Sequence, residues 1–545
     1  MLFRSLVAGY DNIKWLGDLA NGRASFDVGF DVSHGGNDKT TQALHVNSDL
    51  RGIELKLPAP AKKKADSALP ISVDLGLPTD GAELRLALGD AVRARMRLGA
   101  DKGPPFAATF NLGTVMPTTL PDKGMRFAGH GDVVDVSGWV QYATSAGDGG
   151  QGPGLDGIDI NADHALVFGQ DFGQMHLVAT PGAEALKITV DSPNLAGSFD
   201  VPSTDLTRRG VTARLPRVYW PRDDTTAAKG KAGTKAAATS VAAPSDAAGA
   251  TAAVPPISKP VEPGIAPASV PPLHLFIGDL RLGDAKLGEA RLETWPTDKG
   301  MHIDQLRSQS NNIQVTASGD WNGNATASRT HLAMDFAAEN LGGMLDALGF
   351  GGLFEGGRTQ APLDASWAGG PSALTLANMD GKLRVDVAKG RIPEVQPGVG
   401  RLFGLVSLAE LPRRLSLDFG DVLGKGLSFD SIKGDFRLAD GNASTDNLQI
   451  LGPAADLTIT GRIGLRARDY DQQILVVPHL GNSLPVVGAI AGGPVGAAAG
   501  FAVQGLLGRG LNKASGKRYT VKGGWDKPIF TPVDKKEGAT SKTYE

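Results

Sequence analysis

A chain of 545 residues is too long for one hydrophobic core, so several domains or one elongated repetitive body are expected. It is 41% hydrophobic and 21% charged with only 6% aromatics but 73 Gly and 34 Pro, a balance that favours many short strands joined by turns. The net charge of −3 lacks the basic excess that binding to nucleic acid requires, and the absence of Cys rules out disulfides and thiolate metal sites.

The N-terminal stretch MLFRSLVAGYDNIKWLGDL carries Arg4, but Asp11 and Lys14 interrupt its apolar run. No export signal is expected there, and the chain reads either as cytoplasmic or as the inner part of a longer product. Period-two alternation follows and dominates. ALHVNSDLRGIELKLP sets Leu44, Val46, Leu50, Ile53, Leu55 and Leu57 among polar partners, with a phase slip at Arg51 and Gly52 that predicts a turn or bulge. ISVDLGL repeats the device with Ile71, Val73, Leu75 and Leu77, and AELRLAL with Leu84, Leu86 and Leu88. In VRARMRL, Val92, Met96 and Leu98 oppose Arg93, Arg95 and Arg97. Each such strand has one oily face and one wet face. DINADH (159–164) offers Asp159, Asn161 and Asp163 at calcium-loop spacing, but His164 stands where Gly is needed and Gln170 where Glu is needed. A turn rich in Asx residues is expected instead. ALKITVD and VTARL complete a front segment, 1–221.

Residues 222–272 are Ala, Thr, Ser and Pro with almost no large apolar side chain, and are expected to form a disordered linker or loop. The rear segment, 273–533, returns to strands at LHLFIGDLRLG, IQVTASG, KLRVDVAKG, LTITGRIGL and YTVKGG, and residues 534–545 read as a frayed tail. IQVTASGDWNG (313–323), LTITGRIGL (457–465) and YTVKGGWDKP (519–528) share an alternating strand, a Gly, a spacer and a large apolar residue: Trp321, Ile463 or Trp525. Either any β meander gives such matches, or one unit is reused with each Gly allowing a bend.

Helices are few. NLGGMLDALGF (340–350) and GVGRLFGLVSLAELPRRL (398–415) have amphipathic spacing, and Arg413 and Arg414 would also suit a helix at an anionic lipid surface. In SLPVVGAIAGGPVGAAAGFAVQGLLGRG (483–510), Gly488, Gly492, Gly496 and Gly500 recur every four residues and would form one flat packing ridge. Its length suits a bilayer span, but Pro485 and Pro494 break it and Gly and Ala transfer weakly. A broken helical hairpin is expected, with Phe501 and Leu506 beside the ridge as groove-end or membrane contacts.

No HExxH, GxSxG or P-loop pattern occurs and the nine His are scattered, so no catalytic residue, metal site or cofactor is expected. The fold expected is mainly β: an elongated, curled antiparallel sheet forming a hydrophobic groove, with a few short helices and the C-terminal helical hairpin. About 30 strands at ~4.8 Å would reach about 140 Å. Such a sheet offers an apolar face that the few helices cannot cover.

Residues 390–465, from GRIPEVQPGVGRLFGLVSLAELPRRL to LTITGRIGL, and 476–528, from VVPHLGNSLPVVGAIAGG to YTVKGGWDKP, resemble the C-terminal region of the YhdP branch of AsmA-like envelope proteins. NSDLRGIELKLPAPAKK (47–63) and LTRRGVTARLPRVYWP (206–221) resemble that branch's middle region. The resemblance implies a periplasmic protein, anchored in the inner membrane in its full-length parent by a helix this chain lacks, that moves phospholipid between inner and outer membranes without enzymatic chemistry. Phospholipids and both membrane surfaces would be its partners, and an envelope protein at the C-terminal helices is a further option. The groove lining is then expected at Leu55, Leu57, Ile71, Val73, Leu75, Leu84, Leu86, Leu88, Ile313, Val315, Leu457 and Ile459. Two other readings stay open: an assembly or scaffold factor for outer-membrane proteins, and an envelope hydrolase whose site leaves no motif.

Overall fold

The computed structural model describes residues 20–34, 40–79, 81–99, 103–145, 154–221, 266–349, 351–393, 426–479, 516–525 and 527–533. Residues 222–265 of the expected linker, the helix expected at 398–415, the segment holding Gly488, Gly492, Gly496, Gly500, Phe501 and Leu506, and the tail 534–545 lie outside the described residues. The chain divides into two compact units, Met1–Ile257 and Ser258–Glu545.

In the first unit, β1 (Ala20–Gly22) pairs with β4 (Ile53–Leu55). The main sheet begins with β2 (Asp27–His34), β3 (Thr40–Ser48), β5 (Ile71–Leu77), β6 (Glu83–Leu88), β7 (Val92–Arg97) and β8 (Ala107–Leu112), each antiparallel to the next. It continues through β9 (Gly124–Asp135), β10 (Leu155–Val167), β12 (Met175–Pro181), β13 (Ala185–Asp191), β14 (Leu195–Pro202) and β15 (Val211–Trp220), while β11 (Gln170–Asp171) folds back on the end of β10. A single helical turn, α2 (Leu206–Arg209), links β14 to β15.

The antiparallel expectation fails at β9, which runs parallel to both β8 and β10. Parallel neighbours need crossovers, and residues 113–123 and α1 (Val136–Ser145) begin the two that are required. The first crossover lies over the polar face. Arg95 Nη1 donates to the Thr118 carbonyl at 2.5 Å, Arg97 Nη2 to that of Asp122 at 2.7 Å, and Thr109 Oγ1 to that of Thr119 at 2.9 Å. The arginine face expected to be wet is therefore roofed by backbone whose carbonyls the guanidinium groups satisfy. DINADH is likewise not a turn, because β10 runs straight through it.

Among the described residues of the second unit, each strand of the main sheet runs antiparallel to the next, as hairpin connections produce. Its strands are β16 (Leu273–Leu282), β17 (Ala285–Thr297), β18 (Gly300–Gln309), β19 (Gln314–Gly323), β20 (Ser328–Ala338), β22 (Thr359–Ala368) and β23 (Asp380–Val387). Then come β26 (Ser431–Ala439), β27 (Asn442–Leu451), β28 (Ala455–Gly464), β29 (Asp469–Pro478), β30 (Lys517–Gly524) and β31 (Ile529–Val533). A small sheet joins β21 (Glu355–Gly356), β24 (Gly390–Pro393) and β25 (Gly426–Phe429). Helix α3 (Leu341–Ala347) forms within the expected 340–350 segment, with Asn340 Oδ1 capping it by accepting from the Gly343 amide at 3.1 Å. Residues at the end of the expected linker are ordered: Pro267–Ser269 forms a short 3₁₀ turn with Pro267 buried.

Two of the three repeated glycines sit where the sheet slips register. Gly319 pairs with Ile303 and Gly461 with Thr445, and in each pairing the partner strand bulges immediately afterwards. Both have positive φ, +155° and +113°, so the repeat marks one bending device used twice.

Candidate functional site

The turn expected at Arg51 and Gly52 is present, with Leu50 at φ 51° and Gly52 at φ 89°, and it carries the chain off the main sheet. Leu55 consequently pairs with Ala20 and bridges to Lys63 instead of lining the sheet, and Leu57 follows it there. These residues join a cluster built on Leu50, Ile53, Ala61 and Leu88, against which Ile71, Val92 and Trp139 also pack. The Trp139 indole on α1 donates to the Ala59 carbonyl at 2.8 Å, and the buried Lys63 Nζ donates to the carbonyls of Ile53 at 2.7 Å and Lys64 at 2.9 Å. Together, β1, β4 and α1 form a plug over the strand ends that carry Ile71 and Leu88.

Beyond the plug, pairing register aligns apolar side chains in rows across the first unit. One row runs Val28, Val46, Val73, Leu86, Ala94, Phe110, Phe127, Ile158, Ala179, Ile188, Phe199, Ala213, one residue from each strand of the main sheet. A second runs Phe30, Leu44, Leu75, Leu84, Met96, Ala108, Met125. A third, nearer the plug, runs Ile71, Leu88, Val92, Leu112 and, past Gly129, reaches Ile160, Leu177 and Val190. At ~4.8 Å per strand step the first row spans roughly 50 Å of sheet.

This face is not sealed. Ile71, Val73, Leu75, Leu84 and Leu86 are half-buried, Leu88 is buried against the plug, and Val28, Phe30 and Val32 are 65%, 55% and 49% exposed. The alternation in DVGFDVSH carried the signal for these last three, but its short apolar residues are separated by Gly and Asp. Phe110 and Phe127 were missed because their strands become neighbours only through the parallel crossover; their rings stack at 5.0 Å.

In the second unit the expected lining residues are covered. Ile313, Leu457 and Ile459 are at most 1% exposed and Val315 is 8% exposed, in one core cluster with Leu341, Met344 and Leu345 of α3, Ile392 of β24, and Leu427 and Phe429 of β25. Helix α3 and the small sheet thus supply protein atoms to the face that was expected to hold guests. Farther along, Trp367 is fully buried, its indole donating to the Gly370 carbonyl at 3.0 Å.

The polar faces hold ordered histidine–carboxylate pairs. His130 meets Asp163 at 3.0 Å, His176 meets Asp159 at 2.8 Å and His164 meets Asp171 at 2.8 Å, so the acidic residues of DINADH serve cross-strand pairing. Bonding to Asp171 raises the His164 pKa above its ordinary value. His45 lies between Asp74 at 2.5 Å and Asp31 at 3.0 Å, and its pKa is raised chiefly by the Asp74 hydrogen bond. Among the described residues no group of three or more His, Asp or Glu is placed to hold a metal ion, and no helix is long and apolar enough to cross a membrane.

A family model described as YhdP protein matches residues 2–530. The intermembrane phospholipid transporter YhdP of Escherichia coli (strain K12) is 30% identical over 221 residues, which make up 40% of this chain and 18% of that protein. No solved structure matches.

Proposed function

The chain belongs to the YhdP family, and on that premise we propose that it carries phospholipid between membranes, holding acyl chains along the apolar face of its first unit. The observation that supports this is the set of cross-strand rows whose larger side chains stay partly exposed, from Val28 on β2 to Phe199 on β14, with Ala94, Ala179 and Ala213 buried among them. Each methylene moved from water onto such a surface gains up to about 0.8 kcal/mol. Successive positions along a row are chemically alike, so a chain sliding between them exchanges one aliphatic contact for another and keeps most of that energy. Ile71, Val73, Leu75, Leu84 and Leu86 are the proposed contacts. Head groups would project from the open side of the groove, in the space between inner and outer membranes, and the chemistry requires no catalytic residue. The E. coli relative is named for lipid, which weighs against the assembly-factor reading.

Mass spectrometry of lipid extracted from the purified chain tests the proposal. Phospholipid should co-purify, and Val73→Asp or Leu75→Arg should reduce the load at least about tenfold, since a charge cannot be buried beneath an acyl chain without a partner. Lipid-free wild-type protein, or an unchanged load in folded variants, would overturn it.

A further inference from the structure

The core of the second unit consists of two clusters with a seam between them. One includes Val315, Leu448, Ile459 and Val521, and the other Ile303, Leu332, Trp367 and Leu438. Phe336, Phe436, Ile463 and Leu465 are only partly buried and pack against both. A cavity of about 940 Å³ lies on this seam beside Phe436, within the ordinary size range of ligand pockets.

Pairing register makes the cavity floor one cross-strand row. Met334, Leu363, Leu383 and Phe436 follow one another on β20, β22, β23 and β26. The row changes character on β27 and β28, where Thr445 pairs with Gly461, and all six residues line the cavity. Leu383 and Phe436 are half-buried and Gly461 is exposed, so protein does not fill the space above them. The opening has a local cause: Gly461 carries no side chain, and β27 slips register directly after Thr445. Thr445 itself is 7% exposed. Its hydroxyl donates to Asn447 Oδ1 and accepts from the Asn447 amide, both at 3.4 Å, which leaves one acceptor position. The floor residues carry no charge. Arg384, Asp435 and Arg462, which flank them, alternate to the opposite face and pair there, Arg384 with Asp435 at 2.8 Å and Arg462 with Asp469 at 2.8 Å.

We propose that this cavity binds a neutral single-chain amphiphile with a hydroxylated head, the chemistry of a monoacylglycerol. Its chain lies along Met334, Leu363, Leu383 and Phe436, three strand steps or roughly 14 Å, close to half of the ~30 Å hydrocarbon core of a bilayer and hence to the reach of one acyl chain. Its head hydroxyl donates to the remaining acceptor position of Thr445. A carboxylate offers only acceptors there, and a charged head would be desolvated over a floor that holds no counter-charge. The site lies wholly in the second unit and goes beyond phospholipid carriage by the first, so either reading can fail alone.

Calorimetric titration of the whole, delipidated chain with 1-monolauroylglycerol, kept below its micelle concentration, tests the site, with laurate and lauroyl lysophosphatidylethanolamine run in parallel. Saturable binding of the glyceride is expected, with both charged lipids weaker by about tenfold or more. Thr445→Val keeps the side-chain shape and should melt close to wild type, yet bind the glyceride about fivefold more weakly. Leu383→Trp fills the floor and should abolish binding at this site; if that chain fails to fold, Thr445→Val still decides. The Thr445-dependent site should persist in Leu75→Arg, which separates it from the first unit whether or not phospholipid carriage survives there. No saturable glyceride binding, a charged lipid bound as tightly as the glyceride, or undiminished binding in folded Thr445→Val or Leu383→Trp would overturn the proposal.

Discussion

Gly461 shows how much of the sheet's shape depends on single positions. A Cβ there would lie 2.3 Å from the Asp471 carbonyl oxygen, and its φ of +113° is one that side chains with a Cβ rarely adopt. Gly461→Val should cost about 2–3 kcal/mol, read as a lowered urea midpoint with unchanged slope. His45 offers a different test. Held above its ordinary pKa by the Asp74 hydrogen bond, with Asp31 beside it, the imidazole binds its proton more tightly folded than unfolded. Its contribution is therefore complete below the unfolded pKa and is lost as pH rises through the folded one. The melting temperature of the first unit should fall as pH rises above about 6.5, the ordinary imidazole value, and His45→Gln should flatten that slope. An equal slope in the variant would remove His45 from the account.

At the scale of elements, the strands were legible and their neighbours only partly so. Alternation located β5, β6, β7, β13, β19, β23, β28 and β30, because half-buried strands must place apolar side chains at every second residue. The glycine repeat was legible for the same local reason. What alternation cannot carry is pairing: nothing in VRARMRL says that its arginines will meet a crossover more than ten residues downstream, or that β9 will run parallel to both neighbours. Leu55 and Leu57 lie off the main sheet because the phase slip before them was a departure from the sheet and not a bulge within it. The plug this creates rests on Trp139. Trp139→Ala removes the indole donor and the contacts it makes, so backbone amides of residues 53–63 should exchange with deuterium at least about tenfold faster, while β19 and β20 keep their protection. Unchanged exchange at 53–63 would show that β1 and β4 hold the plug without α1.

Across the molecule, the same alternating pattern leads to two different surfaces. In the first unit a face of Val, Leu, Ile and Phe stays half-exposed, whereas in the second Ile313, Leu457 and Ile459 are buried in one cluster with α3 and the small sheet. The sequence could not separate these cases, since burial depends on what packs over a strand and not on the strand's own period. The difference has a direct consequence for carriage. A guest acyl chain on the first face replaces water, but in the core around Ile459 it would have to displace close-packed protein, forfeiting contacts that the guest could at best replace. A photo-reactive phenylalanine analogue placed in the full chain at Leu75, Phe110 or Phe199 should therefore cross-link to phospholipid, and the same analogue at Leu457 or Ile459 should not. Melting curves close to wild type would confirm that each substituted chain is folded. Equal cross-linking in both units would mean that the second core opens to lipid, and that the half-exposed rows are not what distinguishes the carrying surface.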